Sequence, residues 1–332
     1  MKSLNLELLK SLLSVFSPSG NEMKVAKLIQ QEIKGYVDEI HVDPLGNLIA
    51  RKKGNGKKIM LAGHMDQIGL MVTFIDDKGF LRFTNVGGLS PAITLAQRVI
   101  FENGTIGVVG LEKLDSIKDL NLDKLFIDIG ASSKEEAEEK VTIGDICVYH
   151  SEPLIDDKKV VSQAMDDRIG CFVMIEALKN MGTSNNDLYF VFTSQEEVGI
   201  RGAKTSAYTV DPDYGIALDV TATGDTPKAK PMAVKLGAGP AIKIRDNSLL
   251  CHPKVKNFMI EQAKKNNIPY QLEVLEFGGT DSGAIHLTKG GVPSGVLSIP
   301  TRYVHSNCEM AFLSDIANSV ELLVKLVENE IE

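Results

Sequence analysis

The sequence predicts an α/β protein: a layered sheet with helices on both faces, interrupted by a small β-rich insert. Three observations lead there. The chain has 332 residues, beyond the size at which one hydrophobic core usually stops growing, so two domains are expected. Strand and helix patterns alternate in the first 66 residues and again after about residue 163, the texture of a sheet covered by helices. Between them, residues 68–162 read almost entirely as short strands. The expected organisation is a discontinuous α/β domain, 1–67 plus 163–332, with 68–162 as the β-rich insert.

Each element follows in order. Leu4, Leu8, Leu9, Leu12 and Leu13 recur at helical spacing and predict a helix over 4–15. SPSGNE then turns the chain, with Ser19 or Asn21 placed to cap a second helix that runs to about Lys34. EIHVD, NLIARKK and KKIMLAG read as strands, with PLGN (44–47) and KGNGK (53–57) as hairpin-like turns between them. In the insert, GLMVTFI, FLRFT, QRVIFEN, TIGVVGL, KLFIDIG and DICVYH are strands punctuated by DDKG and ENG. They predict a small barrel or sandwich, with SSKEEAEEK (132–140) as a solvated helix. Beyond 163, helices at 166–181, 200–207, 254–266, 281–289 and 313–330 alternate with strands at 187–194, 214–220, 270–277 and SGVLSIP.

Composition narrows the function. A hydrophobic content of 43% and a charged content of 24% fit a soluble globular chain. The net charge of −8 argues against a general nucleic-acid or anionic-membrane binder. No apolar run reaches the ~18 residues that a membrane span needs. Cys147, Cys171, Cys251 and Cys308 lie far apart with no C-x-x-C pair, and the start MKSLNLELLKS lacks a long apolar run. A reducing cytoplasm with mostly buried free thiols is the expectation.

The chemistry gathers at strand ends. IMLAGHMDQ delivers His64 and Asp66, and VVSQAMDDR delivers Asp166 and Asp167. YFVFTSQEEVG delivers Glu196 and Glu197, YGIALDV delivers Asp219, and VLSIPTRYVHS delivers His305. In an open α/β sheet, ligands sit outside the carboxyl ends of the strands, so five segments are expected to converge on one edge. Imidazole and carboxylate together suit zinc, cobalt or manganese. So many carboxylates need cations nearby, and two metals sharing a bridging carboxylate would balance them. The adjacent acids can then divide labour: one holds a metal, the other acts as general base. Taken singly, each motif has a plainer reading. His64 or His305 alone reads as a packing histidine, the glutamate pair as a solvated strand end, the aspartate pair as a helix cap, and Asp219 as a turn residue. Only their joint occurrence points to a metal site. His41, His150, His252 and His286 lack comparable partners. LGAGP (236–240) and FGGTDSG (277–283) do not match a phosphate loop and read as turns, the second able to bring backbone close to a substrate.

GHMD, AMDDR, QEEVG, ALDV and YVHS, in this order, resemble the tetrahedral (TET) aminopeptidases of metallopeptidase family 42 over essentially the whole chain. The resemblance implies a zinc-peptidase-like α/β/α sandwich with a mixed sheet and an inserted small β-barrel through which the family dimerises. It implies two divalent metal ions, zinc or cobalt: His64 and Asp219 on one, Glu197 and His305 on the other, Asp166 bridging. Glu196 would be the general base, and Asp66 would hydrogen-bond His64 and fix its ring. Asp167 looks like a structural neighbour. Members usually continue GHMD with Glu where this chain has Gln67, which removes a negative charge beside the site and is expected to bear on metal affinity or on the substrate amine. The implied activity is removal of the N-terminal residue from short peptides, in dimers assembled into a tetrahedral dodecamer. The rival readings are a related di-metal carboxypeptidase or deacylase, or an endoglucanase, a label some members carry.

Overall fold

The structure is a computed structural model that describes residues 4–331. The chain opens with α1 (Leu6–Ser14), α2 (Met23–Ile33), β1 (Glu39–Val42), β2 (Leu48–Lys52) and β3 (Lys58–His64). The insert carries β4 (Gly69–Ile75), β5 (Leu81–Val86), α3 (Pro91–Thr94), β6 (Arg98–Phe101), β7 (Ile106–Leu111), β8 (Leu125–Asp128), α4 (Lys134–Glu138) and β9 (Ile146–Tyr149). β10 (Leu154–Ile155), β11 (Lys159–Ser162), α5 (Met165–Asn180), β12 (Asp187–Thr193), α6 (Arg201–Val210) and β13 (Tyr214–Thr221) come next. The chain closes with β14 (Ala241–Arg245), α7 (Pro253–Lys265), β15 (Gln271–Val274), α8 (Ser282–Ile285), β16 (Ser294–Pro300), β17 (Glu309–Phe312) and α9 (Leu313–Glu328).

Eight strands form one mixed sheet in the order β1-β2-β12-β3-β13-β16-β14-β15. Its centre, β12, β3, β13 and β16, is parallel, so all four carboxyl ends lie on one edge. Side chains alternate across a strand, and β3 shows the consequence. Ile59 and Leu61 join the core shared with α1, α2, α5 and α9, whereas Met60 and Ala62 join the core under α6. Helix α5 is buried from Met165 to Leu178, which explains why its stretch from Ile169 to Ile175 is apolar on every side.

β4-β5-β8-β7-β6-β9 close into an antiparallel barrel. Alternation again separates inside from outside: Leu70, Val72, Val99, Val109 and Ile127 fill it, while Ile106 and Val108 face outward and are exposed, as is Phe74 past a register shift in β4. The barrel alternative of the sequence reading is the observed one. β11 pairs with β10 and with β17 in a separate small sheet.

Several expectations are corrected. KGNGK is no hairpin, because β12 lies between β2 and β3; a non-local strand wins the pairing that sequence adjacency suggests. Ser19 and Asn21 do not cap α2. Glu22 occupies the cap position without a side-chain cap bond, and the Ser19 hydroxyl donates instead to Asp66 Oδ2 at 2.6 Å. The strand expected at 270–277 spans only Gln271–Val274, and the helix expected at 281–289 only Ser282–Ile285. Cys147, Cys171 and Cys251 are buried and free, and Cys308 is free but exposed. Among the described residues, no helix is long and apolar enough to cross a membrane.

Candidate metal centre

The site is built at the mouth of β12. After Thr193 the chain turns sharply, with Gln195 in the left-handed region at φ +55°. Three successive backbone N–H groups leave this turn and find two buried carboxylates. Gln195 N–H donates to Glu22 Oε1 at 3.0 Å, Glu196 N–H to Asp66 Oδ1 at 3.0 Å, and Glu197 N–H to Asp66 Oδ2 at 3.2 Å. Two acids can therefore stand side by side past an apolar strand because other acids grip their backbone. Asp66 is suited to this work. Burial alone would raise its pKa, but the His64 imidazole, the Ser19 hydroxyl and the Glu196 N–H outweigh burial and lower it. Asp66→Asn would swap one accepting oxygen for an NH2 group. We expect kcat to fall about 10–100-fold, the range typical of lost outer partners at metal sites, with the fold retained in circular dichroism.

His64 ends β3. Its Nδ1 lies 3.1 Å from the Asp66 carbonyl and 3.4 Å from the Asp66 carboxylate. A carbonyl only accepts, so Nδ1 carries the proton and Nε2 is the atom left to bind. The nearer partner is thus the Asp66 backbone rather than its side chain. His64 Nε2 sits 2.9 Å from Asp166 Oδ1, and His305 Nε2 sits 3.2 Å from Asp166 Oδ2. One carboxylate faces two imidazoles, one oxygen each. Glu197 Oε1 lies 3.3 Å from His305 Nε2. Ligand atoms of His64, Asp166 and Glu197 gather within 4.8 Å of one another, as do those of His64, Asp167 and Asp219. The second grouping draws in Asp167, read from sequence as a neighbour. Its two oxygens already accept the His64 and Gly170 N–H groups at 3.2 and 3.1 Å, which ties β3 to α5.

A model of the M42 glutamyl aminopeptidase family matches residues 46–322 of this chain. The chain belongs to that family. A putative aminopeptidase of Acetivibrio thermocellus is 56% identical over 97% of this chain and 98% of its own. The aminopeptidase APDkam598 of Desulfurococcus kamchatkensis superposes with a TM-score of 0.93 at 43% identity, over 97% of this chain and 94% of that one. The Pyrococcus horikoshii TET1 peptidase superposes at 0.86 with 36% identity, over 98% and 99%. The M42 chain is therefore an aminopeptidase, a hydrolase of peptide bonds, of a metallopeptidase family that uses divalent metal.

Residues not anticipated from sequence complete the M42 site. Glu309 Oε2 accepts the Met165 and Asp166 N–H groups at 2.7 and 3.1 Å, and its Oε1 accepts the His305 N–H at 2.7 Å. It thereby holds Asp166 and His305 in place together. Asp281, from FGGTDSG, accepts the Thr193 hydroxyl at 2.6 Å. The barrel reaches in through Gly87 and Gly88. A Cβ on Gly88 would lie 2.7 Å from His305 Nδ1, and one on Gly87, at φ +78°, would lie 2.9 Å from Glu197 Oε2. Neither signal stands out in the sequence, since a lone glutamate and a GG pair occur anywhere. The Gln67 hydrogen bonds run to Ser17, Gln163 and the buried Arg168 guanidinium, which ties α5 to the N-terminal segment.

The donor set fits a divalent cation. Glu197 Oε1 is buried with no well-aligned hydrogen bond, His305 Nε2 standing 3.3 Å away. Burial and neighbouring acids push Asp219, Glu196 and Glu197 above the usual carboxylate range, and push Glu309 up to about 8. Burial would lower the His305 imidazole, yet Asp166 and Glu197 raise it to about 12. The protein alone thus gathers more negative charge than it can neutralise, the condition a bound cation relieves. Beside the cluster opens a cavity of about 500 Å³.

Proposed function

We propose that this M42 aminopeptidase removes the N-terminal residue of short peptides with a pair of divalent cations and Glu196 as general base. The observation that carries the reading is Asp166, whose two oxygens face His64 and His305 Nε2 at 2.9 and 3.2 Å. His64 and Asp219 would hold one ion, Glu197 and His305 the other, with Asp166 between them. When bound, such ions supply Lewis-acid polarisation of the scissile carbonyl and lower the pKa of water. Zinc and cobalt both suit imidazole and carboxylate donors.

The chain's own groups do the rest. Asp66 and Glu22 hold the turn so that Glu196 lines the cavity. Glu196 lines the cavity without belonging to the proposed ligand set, so in its ionised form it is free to take a proton from the attacking water. It then returns that proton to the leaving amine, and Glu196 ends the cycle ionised as it began.

Free-amino and N-acetylated forms of one short peptide, assayed with metal-depleted and metal-restored protein, test this reading. Cleavage of the free form alone, lost with metal and regained with zinc or cobalt, is expected. Preferential cleavage of the blocked form would assign a deacylase or carboxypeptidase instead.

The domains proposed for this chemistry are 1–67 with 163–332 for catalysis and 68–162 for self-association. The exposed apolar side chains on the barrel, Phe74, Ile106 and Val108, support association there. The Pyrococcus horikoshii TET1 peptidase assembles into a tetrahedron or a large octahedral shell. We infer dimers of this chain built into a tetrahedral dodecamer, which light scattering distinguishes from an isolated dimer.

A further inference from the structure

His305 stands on a loop, whereas His64 ends a strand. Its side chain is 33% exposed against 2% for His64, so less of the protein surrounds it. Its backbone lies in the left-handed region at φ +63°, as does that of Tyr303 at +61°. A residue other than glycine persists there only when its surroundings hold it. The loop is closed at its neck. Arg302 N–H donates to the Met310 carbonyl at 2.9 Å, and Met310 N–H to the Arg302 carbonyl at 3.0 Å.

From that neck the Arg302 side chain reaches Asp225. Its Nε donates to Oδ1 at 3.0 Å and its Nη2 to Oδ2 at 2.7 Å, a two-pronged geometry that fixes direction as well as distance. Asp225 lies on the segment that leaves β13, past Asp219 and Thr221. That segment is itself tied down. Asp225 Oδ2 also accepts the Leu236 N–H at 3.0 Å, and Gly224 N–H donates to the Val234 carbonyl at 2.8 Å. The pair therefore fastens the neck of the His305 loop to the chain leaving Asp219, beside one backbone bond from Thr301 N–H to the Thr221 carbonyl at 2.8 Å. With side chains 24% and 21% exposed, the pair is open enough to water to contribute little to global stability. What it fixes is where the loop points.

Resting on the two-ion reading above, we propose that Arg302 and Asp225 are positioning residues for His305. Neither lines the cavity. They set the place of the loop that serves one ion relative to the strand whose Asp219 serves the other. Without the pair, the neck pivots about its remaining backbone bonds. His305 then strays from Glu197 and Asp166, while His64 and Asp219 keep their places on β3 and β13.

The test titrates metal-depleted protein with zinc in a calorimeter, for the parent, Asp225→Asn, Arg302→Gln and the double variant. Asparagine keeps an oxygen for the Leu236 N–H, so the fold is retained. In each variant one ion should bind as in the parent and the other about 10–100-fold more weakly. The weakened ion should be the one that His305→Ala loses. Excess zinc should restore most of kcat, and the melting temperature of the metal-free protein should hardly move. The double variant should lose no more than the worse single one, since the two side chains act as one pair. Parental affinity for both ions in the single variants overturns the proposal. Equal weakening of both ions with a lowered melting temperature also overturns it, as the mark of a general loss of structure. If the parent itself binds fewer than two ions, the two-ion reading falls and this proposal falls with it.

Discussion

Glu196→Gln is expected to keep its metal and lose about 10²–10⁴-fold in kcat, the range that a positioned general base contributes. Three features make the separation clean. The backbone of residue 196 is held through its N–H by Asp66, a contact the substitution leaves intact. Glu196 also lies outside both groups of side chains whose ligand atoms converge. Finally, burial and the Asp219, Asp281 and Glu197 carboxylates raise the pKa of Glu196, so its ionised form is disfavoured in the metal-free fold. A folded-state pKa above the unfolded value makes a carboxyl group lower stability as pH rises through that interval. The neutral amide removes this penalty, so the metal-free variant should melt no lower than the parent at pH 7. Single-turnover kinetics and calorimetry read the two effects separately. Unchanged turnover would remove Glu196 from the chemistry.

Asp166→Ala should fail at an earlier stage, with metal lost along with activity. Burial would raise the pKa of Asp166, yet His305 and His64 hold it well below the usual range, so the carboxylate is ionised and both imidazoles depend on it. Without it, His64 Nε2 and His305 Nε2 lose their shared partner. The loss in metal affinity should exceed the about 10–100-fold that outer partners cost, and excess zinc or cobalt should not restore normal turnover. Its neighbour provides the contrast. Asp167 accepts the His64 and Gly170 N–H groups, so its replacement should appear first in thermal stability.

Most of the layered sheet was legible because its central strands are local apolar runs that end at chemistry-bearing residues. His64, Glu197 and Asp219 could be read from those ends, since parallel strands deliver their carboxyl ends to one edge. Pairing was less legible. Nothing in KGNGK reveals that β12 will lie between β2 and β3, because that contact joins segments more than a hundred residues apart. The glycine-rich LGAGP before β14 dominates its local pattern, and β17 is four residues long. The supporting acids were hidden for another reason. Glu22 and Glu309 act by accepting backbone N–H groups from distant turns, and any acid can do that from any position. Gly87 and Gly88 matter only because the barrel docks against His305 and Glu197, which no spacing within the insert announces.

A calorimetric titration of metal-depleted protein with zinc or cobalt, repeated in buffers of different ionisation enthalpy, tests the paired-cation claim most directly. His305, raised to about 12 by Asp166 and Glu197, holds a proton at pH 7 in the metal-free protein, and metal must displace protons from ligands it binds. Two ions per chain, with net proton release and weaker binding as pH falls, is the predicted result. Saturation at fewer than two ions in fully active protein, or uptake with no protons released, would contradict it.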